Sequence, residues 1–122
     1  MATKGSLVLV VDDDVDIREV TAAVLTTAGY TVITACDGRQ ALELLRSIRP
    51  ALILLDLNMP NLDGADFRRQ QRRDPALMRI PTVVVSAANI EPLLDLACDA
   101  CLRKPVRLRE LLAVVEQYCA RS

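Results

Sequence analysis

Histidine is absent from this chain. Ser-His and Cys-His nucleophilic pairs, imidazole metal ligands and a phosphohistidine carried on the chain itself are thereby excluded. What chemistry the chain performs must use carboxylates, hydroxyls, lysine, thiols or a bound ion. Long apolar runs are missing too. None approaches the ~20 residues that span a bilayer, and the opening "MATKGS" lacks the apolar stretch of a signal peptide. Strong charge of either sign is also lacking. The formal net charge is −1, so global charge points to neither a nucleic acid nor a membrane as partner. These absences lead us to expect a cytoplasmic protein. Its four cysteines, at 36, 98, 101 and 119, are then expected to be reduced rather than bridged.

What is present is the material of one ordinary core. At 122 residues, 52% of them apolar and 25% charged, the chain is expected to form a single domain over 1–122. Short apolar runs alternate with helical patterns. Strands are expected at Leu7–Val11, Thr31–Ala35, Ala51–Leu55, Thr82–Val85 and Ala100–Arg103. Several are nearly continuous Val/Leu/Ile runs, as in strands covered on both faces. Asp14 or Asp16 can start a first helix whose inward positions are Ile17, Val20, Val24 and Ala28, with Gly29 as its stop. Ala41, Leu44, Leu45 and Ile48 mark a second helix, closed by Arg49–Pro50. Leu108, Leu111, Leu112 and Val115 mark the last. The segment after Gly64, "ADFRRQQRRD", offers Phe67 to a core but has Gln70 and Gln71 where apolar residues belong, so its helix should be short or shallow. Strands alternating with about five helices imply a doubly wound α/β fold: a five-stranded parallel sheet with helices on both faces. The chain ends soon after its last helix, so no output domain is expected on it.

In such a sheet, sites form beyond the carboxyl ends of the strands. The first strand runs into Asp12, Asp13 and Asp14; the third into Asp56 and Asn58; the fourth into Ser86; the fifth into Lys104. Two carboxylates ~4 Å apart repel by roughly 4 kcal/mol at an effective dielectric near 20. Several converging on one pocket need counter-charge. Lys104 supplies one positive charge, and an oxygen-preferring dication such as Mg²⁺ supplies more. Such an ion positions phosphoryl oxygens for in-line transfer, and an aspartate can be the covalent acceptor. Ser86 and Lys104 could then hydrogen-bond the new phosphate oxygens. The residues thus point to Mg²⁺-dependent phosphorylation of a carboxylate.

Each residue also has a plainer reading. Asp12 to Asp14 can cap a helix; Asp56 and Ser86 can be turn residues; Lys104 before Pro105 can be a solvated lysine. Their joint placement at strand ends favours the site. Cys98-Asp-Ala-Cys101 has C-x-x-C spacing but no second ligand pair, and small-residue packing explains it better than redox or metal chemistry. Arg68, Arg69, Arg72 and Arg73 read as a solvated basic face, with contact to an acidic partner as the alternative.

"VVDDD", "LLDLNMPNLDG", "IPTVVVSA" and "LRKP", in this order, resemble the receiver domain of two-component response regulators over nearly the whole chain. The resemblance implies a flavodoxin-like strand order of 2-1-3-4-5. It implies Asp56 as phosphoacceptor, Asp12 and Asp13 as the acidic pair that binds Mg²⁺ with Asp56, and the backbone carbonyl of Asn58 as the third protein ligand. Ser86 takes the place of the switch hydroxyl and Lys104 that of the phosphate-contacting lysine, with Lys104–Pro105 usually cis. It implies a sensor histidine kinase or histidine phosphotransfer protein as phosphate source. A downstream protein target, or an output domain absent from this chain, would read the signal, with no membrane and no direct nucleic acid contact.

Two positions depart from the family pattern. Cys101 stands where an aromatic three residues before the lysine is usual, and no aromatic lies between Phe67 and Tyr118. "NIEPLLDLA" leaves room for only a short fourth helix, with Pro92 near its start. An intact phosphorylation pocket beside an unusual output surface is the expectation. The alternative is a phosphorylation-independent receiver acting as a constitutive protein-binding or dimerisation module. A Mg²⁺ phosphatase would want an aspartate where Asn58 stands.

Overall fold

The computed structural model describes residues 6–56, 64–86 and 99–119. Strands β1 (Leu7–Val11), β2 (Thr31–Ala35), β3 (Leu52–Asp56), β4 (Thr82–Ser86) and β5 (Ala100–Arg103) pair in parallel in the order β2-β1-β3-β4-β5. Helices α1 (Val15–Thr27), α2 (Gly38–Leu44), α3 (Gly64–Arg73) and α4 (Leu108–Cys119) are the four among the described residues. The short helix expected around Pro92 lies outside them.

The strand runs are buried on both faces because alternate side chains serve two cores. Val8 and Val10 of β1 join Leu52, Leu54 and Val83 on the side of α1 and α4. Leu9 and Val11 join Ile53, Leu55, Ala41 and Phe67 on the side of α2 and α3. β3 starts and ends one residue later than expected, and Asp56 is itself its last strand residue. β4 likewise extends one residue, to Ser86.

Asp14, not Asp16, caps α1: its carboxylate accepts from the backbone N–H groups of Asp16 and Ile17 at 3.0 and 3.2 Å. Gly29, at φ 104°, takes the left-handed conformation past the helix end. The inward face of α1 differs from expectation. Leu25 is fully buried and Val24 packs on the core, but Ile17 and Val20 are 44% and 62% exposed. These two line an open groove between α1 and α4 instead of a closed contact. Leu108, expected inward on α4, is 55% exposed for the same reason, while Leu111 and Val115 are buried.

α3 is neither short nor shallow. It runs ten residues and seats Phe67, Arg68 and Gln71 in the interior. Gln71 occupies an apolar-facing position because its amide is matched on every side. The amide nitrogen donates to the carbonyls of Leu77 (3.0 Å) and Ile80 (3.3 Å) and lies 3.0 Å from Thr82 Oγ1. Its oxygen accepts from Arg68 Nη1 at 2.8 Å. Arg68 is therefore part of a buried polar network, not of a solvated basic face. Arg69, Arg72 and Arg73 remain exposed.

Candidate functional site: an acidic pocket at the carboxyl edge of the sheet

The pocket is built by strand order. β1 and β3 are neighbours, and Val11 of β1 faces Leu55 of β3 across the ladder. The residues that follow, Asp12 and Asp56, therefore emerge side by side at the same edge. Asp12 is held there by its own backbone. Its N–H donates to Ala35 O (3.1 Å), and its carbonyl accepts from Arg18 Nη1 (2.8 Å). One carboxylate oxygen accepts from the Asp14 N–H at 2.9 Å. Arg18 had no signal in the sequence beyond an ordinary charged helix position. Only the turn of α1 over the strand end brings it back to Asp12.

Asp12, Asp13 and Asp56 each offer one carboxylate oxygen, and these oxygens lie within 4.8 Å of one another. Asp12 and Asp56 are buried and Asp13 is exposed. From β5, the Lys104 ammonium donates to Asp56 Oδ2 at 3.1 Å. The Lys104–Pro105 peptide bond is cis. β4 brings Ser86 opposite Arg103 of β5, one residue before Lys104; the Ser86 side chain lies outside the described atoms. Asn58 and Cys98 also fall outside the described residues. Cys101 is half-buried in β5.

Electrostatics set the demand of this pocket. The Asp12 carboxyl is raised from 3.8 to about 6, chiefly by burial and then by the neighbouring Asp56 carboxylate, against the opposing effects of the Asp14 N–H and the Lys104 ammonium. One lysine thus does not offset the crowded carboxylates. A hard dication would. The donors are all oxygen, and they sit close enough to share one small ion. The residues present fit Mg²⁺.

A flavodoxin-like sheet carrying a lysine-countered acidic pocket at its switch-point edge defines the class of domain. The sequence model of the response regulator receiver domain matches residues 8–116. The chain belongs to the response regulator receiver domain family and is a signalling domain. It is 43% identical over 117 residues to the response regulator MprA of Mycolicibacterium vanbaalenii, covering 94% of this chain and 51% of that protein. It is 35% identical over 126 residues to the DNA-binding response regulator MtrA of Mycobacterium bovis, covering 100% of this chain and 54% of that one. The chain thus spans about half the length of the curated relatives it matches. Among solved structures, the chemotaxis response regulator CheY4 of Vibrio cholerae superposes with a TM-score of 0.87 at 29% identity, covering 94% of this chain and 99% of that one. The receiver domain of a sensor histidine kinase from Pseudomonas aeruginosa superposes with a TM-score of 0.88 at 28% identity, covering 95% and 98%. That neighbour has a magnesium ion coordinated in its active site cleft. No helix among the described residues is long and apolar enough to cross a membrane.

Proposed function

We propose that residues 1–122 form one receiver domain that accepts a phosphoryl group on Asp56 from a phosphohistidine of a sensor histidine kinase or a histidine phosphotransfer protein. The observation that carries this reading is the meeting of Asp12, Asp13 and Asp56 oxygens within 4.8 Å, with Lys104 3.1 Å from Asp56. Asp12, Asp13, Asp56 and the backbone carbonyl of Asn58 would hold Mg²⁺, which supplies charge neutralisation and orients phosphoryl oxygens. The protein's own groups do the rest. An Asp56 carboxylate oxygen forms a bond to phosphorus as the phosphorus–nitrogen bond of the donor phosphohistidine breaks, its electron pair leaving with the donor's imidazole. Lys104, already beside that carboxylate, contacts the charge that develops on the phosphoryl oxygens. Ser86, at the end of β4, is the hydroxyl that bonds the finished phosphate. Phosphorylation adds about −1.5 to −2 charge, and the surface that responds engages a protein target or an output domain in the cytoplasm.

Incubation with Mg²⁺ and acetyl phosphate, followed by intact mass measurement, tests this. The wild type is expected to gain one phosphoryl group and Asp56→Asn none. An unmodified wild type would discard the phosphoacceptor role. Cys101 in place of the usual ring favours the second reading, a constitutive binding or dimerisation module. Modification that leaves association and amide exchange unchanged would favour that module.

A further inference from the structure

The groove between α1 and α4 has a volume of about 840 Å³. Its walls include Val20 and Val24 from α1 and Leu108 and Leu111 from α4, and its floor includes Val10 and Leu54 of the sheet. The same cavity is lined at one end by Asp12, Asp56 and Lys104, so the apolar channel opens directly on the acidic pocket. Its rim leaves Ile17, Val20 and Leu108 substantially exposed. An exposed apolar surface of this kind, with polar groups at one end, marks a ligand-binding groove. The volume lies within the 300–1,000 Å³ range of about drug-sized ligand sites, and the composition matches them: mostly apolar, with a few polar groups at one end.

Continuity with the pocket decides the occupant. A molecule that fills the groove and reaches Asp56 has an apolar body and a head group suited to phosphoryl chemistry. We propose that the groove seats the hydrocarbon chain of an acyl phosphate, so that the domain takes medium-chain acyl phosphates as small-molecule phosphodonors in preference to acetyl phosphate. This rests on the reading of Asp56 as phosphoacceptor. In the step, an Asp56 carboxylate oxygen forms a bond to phosphorus. The bond between phosphorus and the acyl oxygen breaks, and its electron pair leaves with the fatty carboxylate. One mixed anhydride replaces another, nothing is oxidised or reduced, and no proton has to move. Burial of the chain in the groove is binding energy remote from the reacting atoms, and it is available to hold the phosphorus against Asp56.

The experiment compares acetyl, butyryl, hexanoyl and octanoyl phosphate at constant Mg²⁺, with the initial rate of Asp56 modification followed by intact mass. Burial of the chain predicts a rise in kcat/KM of about two- to fourfold per added methylene once the chain enters the groove. Val20→Asp and Leu108→Glu, both at exposed positions, should each lower the octanoyl-to-acetyl rate ratio by roughly tenfold or more. A second measurement needs no transfer. With Mg²⁺ present, octylphosphonate should shift the methyl resonances of Val20, Val24 and Leu111, and methylphosphonate should not. Modification by acetyl phosphate with a flat chain-length series overturns this inference alone. No modification by any donor overturns the phosphoacceptor reading and this inference with it. A flat series in which Val20→Asp converts a dimer to a monomer assigns the groove to a second copy of the chain and likewise overturns it.

Discussion

Lys104 Nζ donates to Asp56 Oδ2 at 3.1 Å, joining the ends of β5 and β3. The contact places one positive charge on the carboxylate proposed to become an acyl phosphate. Lys104→Met should have two opposite effects. Loss of an ammonium aimed at developing phosphoryl charge should slow Asp56 modification by acetyl phosphate roughly 10²-fold. Loss of a cation beside the three aspartates should strengthen Mg²⁺ binding, because nothing positive then competes for their oxygens. Initial rates and a Mg²⁺ titration measure the two. A variant slow because it binds Mg²⁺ poorly would contradict the assignment.

Asp12 makes the metal-free protein sensitive to pH in an unusual direction. Its folded pKa, about 6, lies above the ordinary 3.8, chiefly through burial and then through Asp56. The folded state therefore binds this proton more tightly than the unfolded state. The contribution is fully favourable below the unfolded value and is lost as pH rises through about 6. Urea unfolding of metal-free wild type and Asp12→Asn should diverge over that interval, the variant gaining on the order of 2 kcal/mol relative to wild type by neutral pH. Equal pH slopes for the two proteins would contradict the assignment.

Gln71 is completely buried and bonded to Arg68, Thr82 and two backbone carbonyls. Gln71→Leu preserves approximate volume but removes a partner from each of these groups. Unfolding free energy should fall by about 3 kcal/mol. A neutral result would mean that the network adds no stability over an apolar contact.

Tyr118 anchors the far end of α4, its hydroxyl donating to Asp99 O at 2.9 Å. Asp99 in turn ties β4 to β5, its carboxylate accepting from Thr82 N at 2.8 Å and its own N–H donating to Thr82 O at 3.0 Å. Tyr118→Phe keeps the ring in the core and deletes one hydrogen bond. The expected loss is about 1 kcal/mol, read as a Tm lower by roughly 3–6 °C.

Local chemistry made most of the fold legible. Continuous Val and Leu runs read as doubly covered strands, and the bounds expected for β1, β2 and β5 match those observed. Gly29 read as a helix stop and has positive φ. The apolar periodicity of α1 misled at Ile17 and Val20 because a helical stripe shows which residues share a face, not whether a neighbour closes over that face. Only the spacing of α1 from α4 opens the groove. Gln71 misled for the opposite reason. A polar residue can be buried when the fold delivers its partners, and Leu77, Ile80 and Thr82 come from six to eleven residues further along. Asn58 and the segment around Pro92 lie outside the described residues.

By itself the sequence determined the elements, their order and the chemical types waiting at the strand ends, because strand and helix preference, capping and turn formation depend on near neighbours along the chain. The pairing of β1 with β3, implied by the family resemblance but by no local preference of the chain, is made by the tertiary structure. That adjacency brings Asp12 against Asp56, and burial first, with Asp56 adding to it, raises the Asp12 carboxyl to about 6. Burial and charge proximity are properties of distance in space, and residues 44 apart in sequence acquire them only when the sheet is assembled.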